Sequence, residues 1–230
     1  MPEDIEPIRK FGKGGVVMVI MAKQPQAGET KTRLCPPLSP PQASALYQAL
    51  LQDTIELGAS MKGIDLAIAI TPPESQPYFE SISPAGTRLL PVECRDIGDC
   101  LTKAFSHLLQ EGYKKVLALN ADGPTLPPEY LLQAVEGLDD HDVVLGPSED
   151  GGYYLIAMRK LHMEIFTGIP WSTSRVITCT LEKVKALGLG AMILPRWYDV
   201  DTGGDLERLR AELQILPPHR LKHTRRFFDR

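Results

Sequence analysis

Short runs of apolar, often β-branched residues alternate along the chain with longer segments whose apolar positions recur at helical spacing. That is the mark of βα units around a largely parallel sheet. The strand candidates are residues 16–21, 65–71, 88–91, 115–119, 142–145, 153–157 and 191–194. The first helix is capped by Ser39 and carries prolines in its first turn. Its residues Leu46, Leu50 and Leu57 share a face, with Ala43 and Tyr47 beside them, and this stripe is expected to cover the sheet. Further helical patterns run over 101–109, from the Pro127-Pro128 pair onward, over 174–187 and over 205–213. Residues 1–14 read as a flexible leader, 15–216 as one domain and 217–230 as a basic tail. The tail segment "HRLKHTRRFFDR" sets five Lys or Arg against one Asp and reads as a solvated face, with Phe227 and Phe228 as its anchor.

Composition narrows the class without naming a function. Apolar residues make up 43% and charged residues 23%, which excludes disordered, collagenous and coiled-coil chains. The net charge of −4 argues against a general nucleic-acid binder, which displaces counterions with a basic surface, but a local cationic loop can still hold a small anion. Cys35, Cys94, Cys100 and Cys179 include no C-x-x-C pair, and among the histidines only His219 and His223 stand at helical spacing, so a zinc site is not expected. The length favours reduced thiols and a cytoplasmic location over two disulfides. The acidic start "MPEDIEPIRK" lacks the order of a signal peptide, and no apolar run approaches the ~20 residues of a membrane span.

The stretch "VVMVIMAKQPQAGETKTRL", residues 16–34, runs from a strand into a loop that ends Lys31-Thr32-Arg33. It is not a P-loop: the motif G-x-x-x-x-G-K-[ST] would need glycine at 25 and 30, where Pro25 and Thr30 stand. The dinucleotide fingerprint fails too, because Gly28 is the loop's single glycine. The loop nevertheless leaves the carboxyl end of the first strand, where open α/β sheets bind ligands. Its cations Lys23, Lys31 and Arg33 suit a polyphosphate, Arg as a rigid fork and Lys as a mobile point charge. From this segment alone a solvated surface loop is an equal alternative.

Carboxylates gather at later strand ends. "NADGPTLPPEYL" puts Asp122 just past a strand, where one or two acids and substrate phosphates commonly hold Mg²⁺; its structural alternative is an Asp-Gly-Pro bend. "YDVDTGGDLERL" places Asp199 and Asp201 on one side of an extended segment, with Asp201 read as a metal ligand and Asp205 as a helix cap. In "GPSEDGGYYLIAM", Glu149 and Asp150 precede Gly151 and Gly152, which permit close approach to a ligand, although a hairpin turn accounts equally for the run. Trp171 in "PWSTSRV" reads as core more than as a stacking platform, and Ser172 as a cap for the next helix.

Taken together, "MAKQPQAGETKTRL", "LSPPQASALYQALLQDT", "NADGPTLPPEYL", "DVVLGPSEDGGYYLIAM", "PWSTSRVITCTLEKVKALGL" and "DVDTGGDLERL" resemble the DUF2064 family of the GT-A, nucleotide-diphospho-sugar transferase superfamily, over residues 16 to about 213. The resemblance implies a single-domain, Rossmann-like three-layer αβα sandwich with a mostly parallel mixed sheet. It implies donor phosphates along Lys31 and Arg33, with Lys23 and Gly28 in the same loop, and Mg²⁺ or Mn²⁺ on Asp122 and Asp201. Asp150, Gly151 and Gly152 would shape the acceptor side. There are departures: "RDIGDCL" stands where "GDLGERL" is usual, so Asp99 and Cys100 replace a Glu-Arg pair. Gly203-Gly204 replaces Pro-Glu, and Thr125 stands where an acid is common.

The chemistry so implied is a metal-dependent transferase using a nucleotide-activated donor, either a nucleotide-sugar or an NTP, and a small-molecule acceptor. The metal held by Asp122 would neutralise the phosphate leaving group while Lys31 and Arg33 add electrostatic stabilisation, and Asp150 or Glu149 would serve as general base. Glycosyl transfer is the first expectation, since family labelling favours it. Nucleotidyl transfer to a phosphorylated small molecule, with pyrophosphate release, is the alternative that the cationic loop favours. A non-catalytic nucleotide-binding module is the third. No nucleic-acid partner is expected, and a homodimer is compatible with all three.

Overall fold

The computed structural model describes residues 14–229, so the leader expected over residues 1–14 lies almost wholly outside the described residues. Seven strands form one sheet: β1 (Val16–Ala22), β2 (Ile64–Ile70), β3 (Arg88–Pro91), β4 (Lys115–Leu119), β5 (Val143–Pro147), β6 (Tyr153–Met158) and β7 (Ala191–Ile193). Their spatial order is β3-β2-β1-β4-β6-β5-β7, and β6 alone runs antiparallel to its neighbours β4 and β5. The expected mostly parallel mixed sheet is therefore present. The chain winds from β1 toward β3 on one side and resumes with β4 on the other. This opens a crevice beyond the carboxyl ends of β1 and β4, the switch point at which such sheets bind ligands.

The helices are α1 (Pro40–Ser60), α2 (Gln76–Ile82), α3 (Ile97–Gln110), α4 (Pro128–Gly137), α5 (Val176–Ala186), α6 (Gly203–Ile215) and α7 (Lys222–Phe228). Alternation along β1 feeds both faces of the sheet. Met18, Ile20 and Ala22 pack with Leu51 and Ile55 of α1 and Leu131 of α4, while Val17 and Val19 pack with Leu101, Ala104 and Phe105 of α3. These are the three layers that the family resemblance implies. Among the described residues, no helix is long and apolar enough to cross a membrane.

Two expectations are corrected. Only part of the expected α1 stripe covers the sheet: Tyr47 and Leu57 do so together with Leu51 and Ile55, whereas Ala43, Leu46 and Leu50 pack on Leu206, Leu209 and Leu213 of α6. α1 is buried on two sides, so its apolar positions divide between the sheet and α6. The cysteines are not all reduced either, because Cys94 and Cys100 form a disulfide, while Cys35 and Cys179 are free. Cys94 follows β3 and Cys100 lies in the first turn of α3, with Cα atoms 5.2 Å apart, a separation a bridge spans without backbone movement.

The end of the chain is tied down by a buried carboxylate as well as by its phenylalanines. Asp53 on α1 accepts from the backbone N–H of His223 at 3.0 Å, from that of Thr224 at 2.8 Å and from the Thr224 hydroxyl at 2.6 Å. It thus satisfies the free amides at the start of α7 from another helix. Phe227 and Phe228 pack against the cluster formed by α1 and α6.

Candidate active site

The loop after β1 supports itself before it supports a ligand. Gln26 donates its N–H to the Thr30 hydroxyl at 2.9 Å, and its carbonyl accepts from the N–H of Thr30 at 3.0 Å. A single 3-10 turn, Thr32–Leu34, follows and buries Leu34. Lys31 precedes that turn in the left-handed region, with φ 52°, which sends its side chain inward, where only 6% of it is exposed.

The facing wall comes from two segments far apart in sequence. Val200 donates to the carbonyl of Asp122 at 2.9 Å, so the loop after β4 and the segment before α6 lie side by side. Gly123 permits this contact, since a Cβ there would lie 3.0 Å from the carbonyl oxygen of Tyr198. Asp205 behaves as the cap that its position implies. Its Oδ2 accepts from the Thr202 N–H and hydroxyl, both at 2.7 Å, and from the Asp201 N–H at 3.1 Å, which fixes the backbone that carries Asp201.

Lys31 joins the two walls. Its Nζ lies 2.7 Å from Oδ1 of Asp122 and 2.7 Å from Oδ1 of Asp201, and Arg33 approaches Oδ2 of Asp201 at 3.6 Å. Burial acts to lower the Lys31 pKa, but the two carboxylates outweigh it, so the ammonium is held above its ordinary range. Asp199, behind this pair, is half-buried and accepts from Asn120 Nδ2 at 2.8 Å. Burial foremost, and then the charge of Asp122, push its carboxyl up to about 7.

A cavity of about 530 Å³ opens from this charged cluster along the carboxyl edge of the sheet. Lys23, Lys31, Arg33, Asp122 and Asp201 line one end, and Val92, Ile97, Leu101 and Tyr153 contribute an apolar wall. The Tyr153 hydroxyl is buried without a hydrogen-bond partner, and its ring meets Trp171 edge-on with centroids 6.3 Å apart.

Five of the residues singled out in the sequence are thus brought together: Lys23, Lys31, Arg33, Asp122 and Asp201. Cys100, named as a departure from the family pattern, also lines the cavity, whereas Gly28, Glu149, Asp150, Gly151 and Gly152 do not. Gly28 forms the loop's own turn at φ 85°. Asp150 accepts from the N–H of Gly152 at 2.9 Å, Gly151 packs against Ser174, and Glu149 pairs with Arg208 at 2.9 Å. Ser172 does not cap α5, which begins after Arg175. Sequence reasoning missed Tyr47, whose ring centroid lies 5.9 Å from Lys31 Nζ, and Asn120, the orienting partner of Asp199. Asn120 had one local signal, its position two residues before Asp122 at the end of β4.

The donor set fits a hard divalent cation. Asp122 and Asp201 keep 33% and 27% of their side chains exposed, and they already converge on one cationic nitrogen, which stands in for such an ion. A second group, Asp53, Glu56 and His223, brings one potential ligand atom each within 4.8 Å of one another. Asp53 is already saturated by α7, His223 Nε2 lies 3.0 Å from Glu56 Oε1, and none of the three lines the cavity. This group is the seam between α1 and α7.

Comparison with known proteins identifies the family and the fold. A 2-phospho-L-lactate guanylyltransferase of Methanothermobacter thermautotrophicus is 26% identical over 184 residues, covering 76% of each chain. A crystal structure from Desulfovibrio desulfuricans G20, provisionally designated a nucleotide-diphospho-sugar transferase, superposes with a TM-score of 0.84 at 29% identity, covering 92% of this chain and 93% of that one. The 4-diphosphocytidyl-2C-methyl-D-erythritol synthase of Anaerococcus prevotii shares the fold, with a TM-score of 0.59 at 12% identity and coverage of 87% and 97%. The family model described as "Uncharacterized protein conserved in bacteria (DUF2064)" matches residues 54–173. That match spans just over half of the chain, which therefore belongs to the DUF2064 family, within the nucleotide-diphospho-sugar transferase superfamily.

Proposed function

We propose that this transferase is a metal-dependent nucleotidyltransferase, joining the nucleotide of an NTP to a phosphorylated small molecule with release of pyrophosphate. The observation that carries the reading is the pairing of Lys31 and Arg33 with Asp122 and Asp201 at the mouth of a cavity whose other wall is apolar. A triphosphate needs several cations at one end, and a nucleoside needs room and apolar surface at the other. The guanylyltransferase relative supports the same reaction class.

Lys31 and Arg33 bind and orient the phosphate chain, and Lys23 lies at the start of the same wall. Asp122 and Asp201 would hold Mg²⁺ or Mn²⁺, which when bound neutralises charge on the phosphates of the leaving group. Asp205 keeps Asp201 in place through its backbone amide. Leu101, Val92 and Ile97 give the far side of the cavity apolar surface for a nucleoside.

The choice between transfer reactions turns on the general base. Glycosyl transfer to a hydroxyl is helped by a base, yet Asp150 is engaged by its own turn and Glu149 by Arg208. An acceptor phosphate is already anionic at neutral pH and can attack the α-phosphate without one. Glycosyl transfer is the second reading, favoured by the designation of the Desulfovibrio structure. Incubating the protein with Mg²⁺, each NTP and a panel of phosphorylated acceptors separates the two. Pyrophosphate formation that depends on both NTP and acceptor is the expected result. Nucleoside diphosphate formed from a nucleotide-sugar, with no pyrophosphate from any NTP, would favour glycosyl transfer instead.

A further inference from the structure

Two carboxylates facing one point require a cation between them, because like charges at such a distance raise one another's pKa and repel. Here the cation is a side chain of the protein. Lys31 Nζ sits 2.7 Å from an oxygen of Asp122 and 2.7 Å from an oxygen of Asp201, and 6% of the Lys31 side chain is exposed. Arg33 cannot take over this place without moving: it approaches only the outer oxygen of Asp201, at 3.6 Å, and is 64% exposed. A dication placed at the same point would meet the ammonium at contact distance, where repulsion in a partly buried site is severe. The four-carbon stem of Lys31 allows the ammonium to leave by side-chain rotation.

We propose that Lys31 is the resident cation of the Asp122–Asp201 pair, that it and a divalent metal exclude one another there, and that a phosphate chain admits the metal by giving Lys31 another partner. Lys31 is thereby a positioning residue that couples donor binding to metal entry: the metal loads poorly without a polyphosphate. The inference rests on the phosphate-donor reading given above, but its test needs no turnover.

The test measures Mn²⁺ binding by calorimetry, without nucleotide, for the wild-type protein and for Lys31→Met, which keeps the stem and removes the charge. The variant is expected to bind Mn²⁺ about tenfold more tightly or better, a difference of one decade in Kd. Adding Asp201→Asn to Lys31→Met should abolish that gain, and Lys31→Arg should not show it. On the wild-type protein alone, Lys31 should react with acetic anhydride several-fold faster in saturating MnCl₂ than without metal, read by peptide mass spectrometry. Equal Mn²⁺ affinity in the wild-type and Lys31→Met proteins, or an unchanged Lys31 labelling rate, overturns the inference. Mutual exclusion without any nucleotidyl transfer would leave the inference standing and remove the functional reading. Metal-dependent transfer with equal Mn²⁺ affinities would do the reverse.

Discussion

Replacing Gly151 with alanine perturbs the turn between β5 and β6 at its point of contact with the start of α5. Gly151 has φ 93°, a conformation that costs an L-residue about 1–2 kcal/mol. A Cβ there would lie 2.2 Å from the carbonyl oxygen of Ser174 and 2.6 Å from its Cα. Both are backbone atoms, so no rotamer change relieves the overlap. Moving the segments apart also stretches the bond from the Ile177 N–H to the Gly151 carbonyl, now 2.9 Å, and that from the Gly151 N–H to Ser148, now 3.3 Å. With about 1 kcal/mol for each weakened bond, the total comes to about 3–4 kcal/mol of lost stability. Urea unfolding followed by tryptophan fluorescence measures it, Trp171 lying in the same region. Gly152→Ala is the control, since its Cβ would meet no backbone atom closer than 4 Å and its nearest neighbour is the Asp150 carboxylate at 3.2 Å. A loss below about 1 kcal/mol for Gly151→Ala, or equal losses for the two variants, would refute the reasoning.

Asp122→Asn should lower transfer activity by about 100-fold or more while leaving the circular dichroism spectrum unchanged, because a neutral amide holds neither the metal nor Lys31 as the carboxylate does. Asp53→Ala strands three donors at the start of α7, and a stability loss of about 3 kcal/mol is expected in urea, with faster proteolysis of the chain end. The pH dependence follows from Asp99. Its carboxyl is held down to about 2 by the Arg95 N–H first, then by the Arg95 side chain and Lys103. A lowered folded-state pKa contributes stability that is complete above the ordinary value of 3.8 and disappears as pH falls toward 2. Asp99→Asn should therefore be less stable than wild type at pH 6, and the gap should close by pH 2; a gap independent of pH would contradict this origin.

Much of the fold was legible because its signal is local. Every strand candidate overlaps an observed strand, since runs such as Val17 to Ile20 are buried on both faces of the sheet and are apolar throughout. α2 gave no signal: it is seven residues long and follows a 3-10 turn, too short to show a period. The stripe on α1 is legible but its division between the sheet and α6 is not, because periodicity reports that a face is buried and not what buries it. The disulfide lacked a spacing pattern altogether.

The candidate site divides in the same way. Lys31, Arg33, Asp122 and Asp201 were legible from residue type and position at strand ends, which the fold gathers at one edge. The contacts among them were not, since the bonds from Lys31 to Asp201 and from Asn120 to Asp199 join residues far apart in sequence. Asp150, Gly151 and Gly152 drew attention because "EDGG" suits both a ligand and a turn, and the structure gives them the contacts of the turn.

The most direct test of the central claim is exchange of labelled pyrophosphate into NTP, catalysed by the purified protein with Mg²⁺ and a nucleotidylated acceptor. The proposed reaction run in reverse predicts label in the NTP, abolished by chelator and by Asp201→Asn. Metal-dependent turnover of a nucleotide-sugar by the same preparation, with no label entering any NTP, would contradict it.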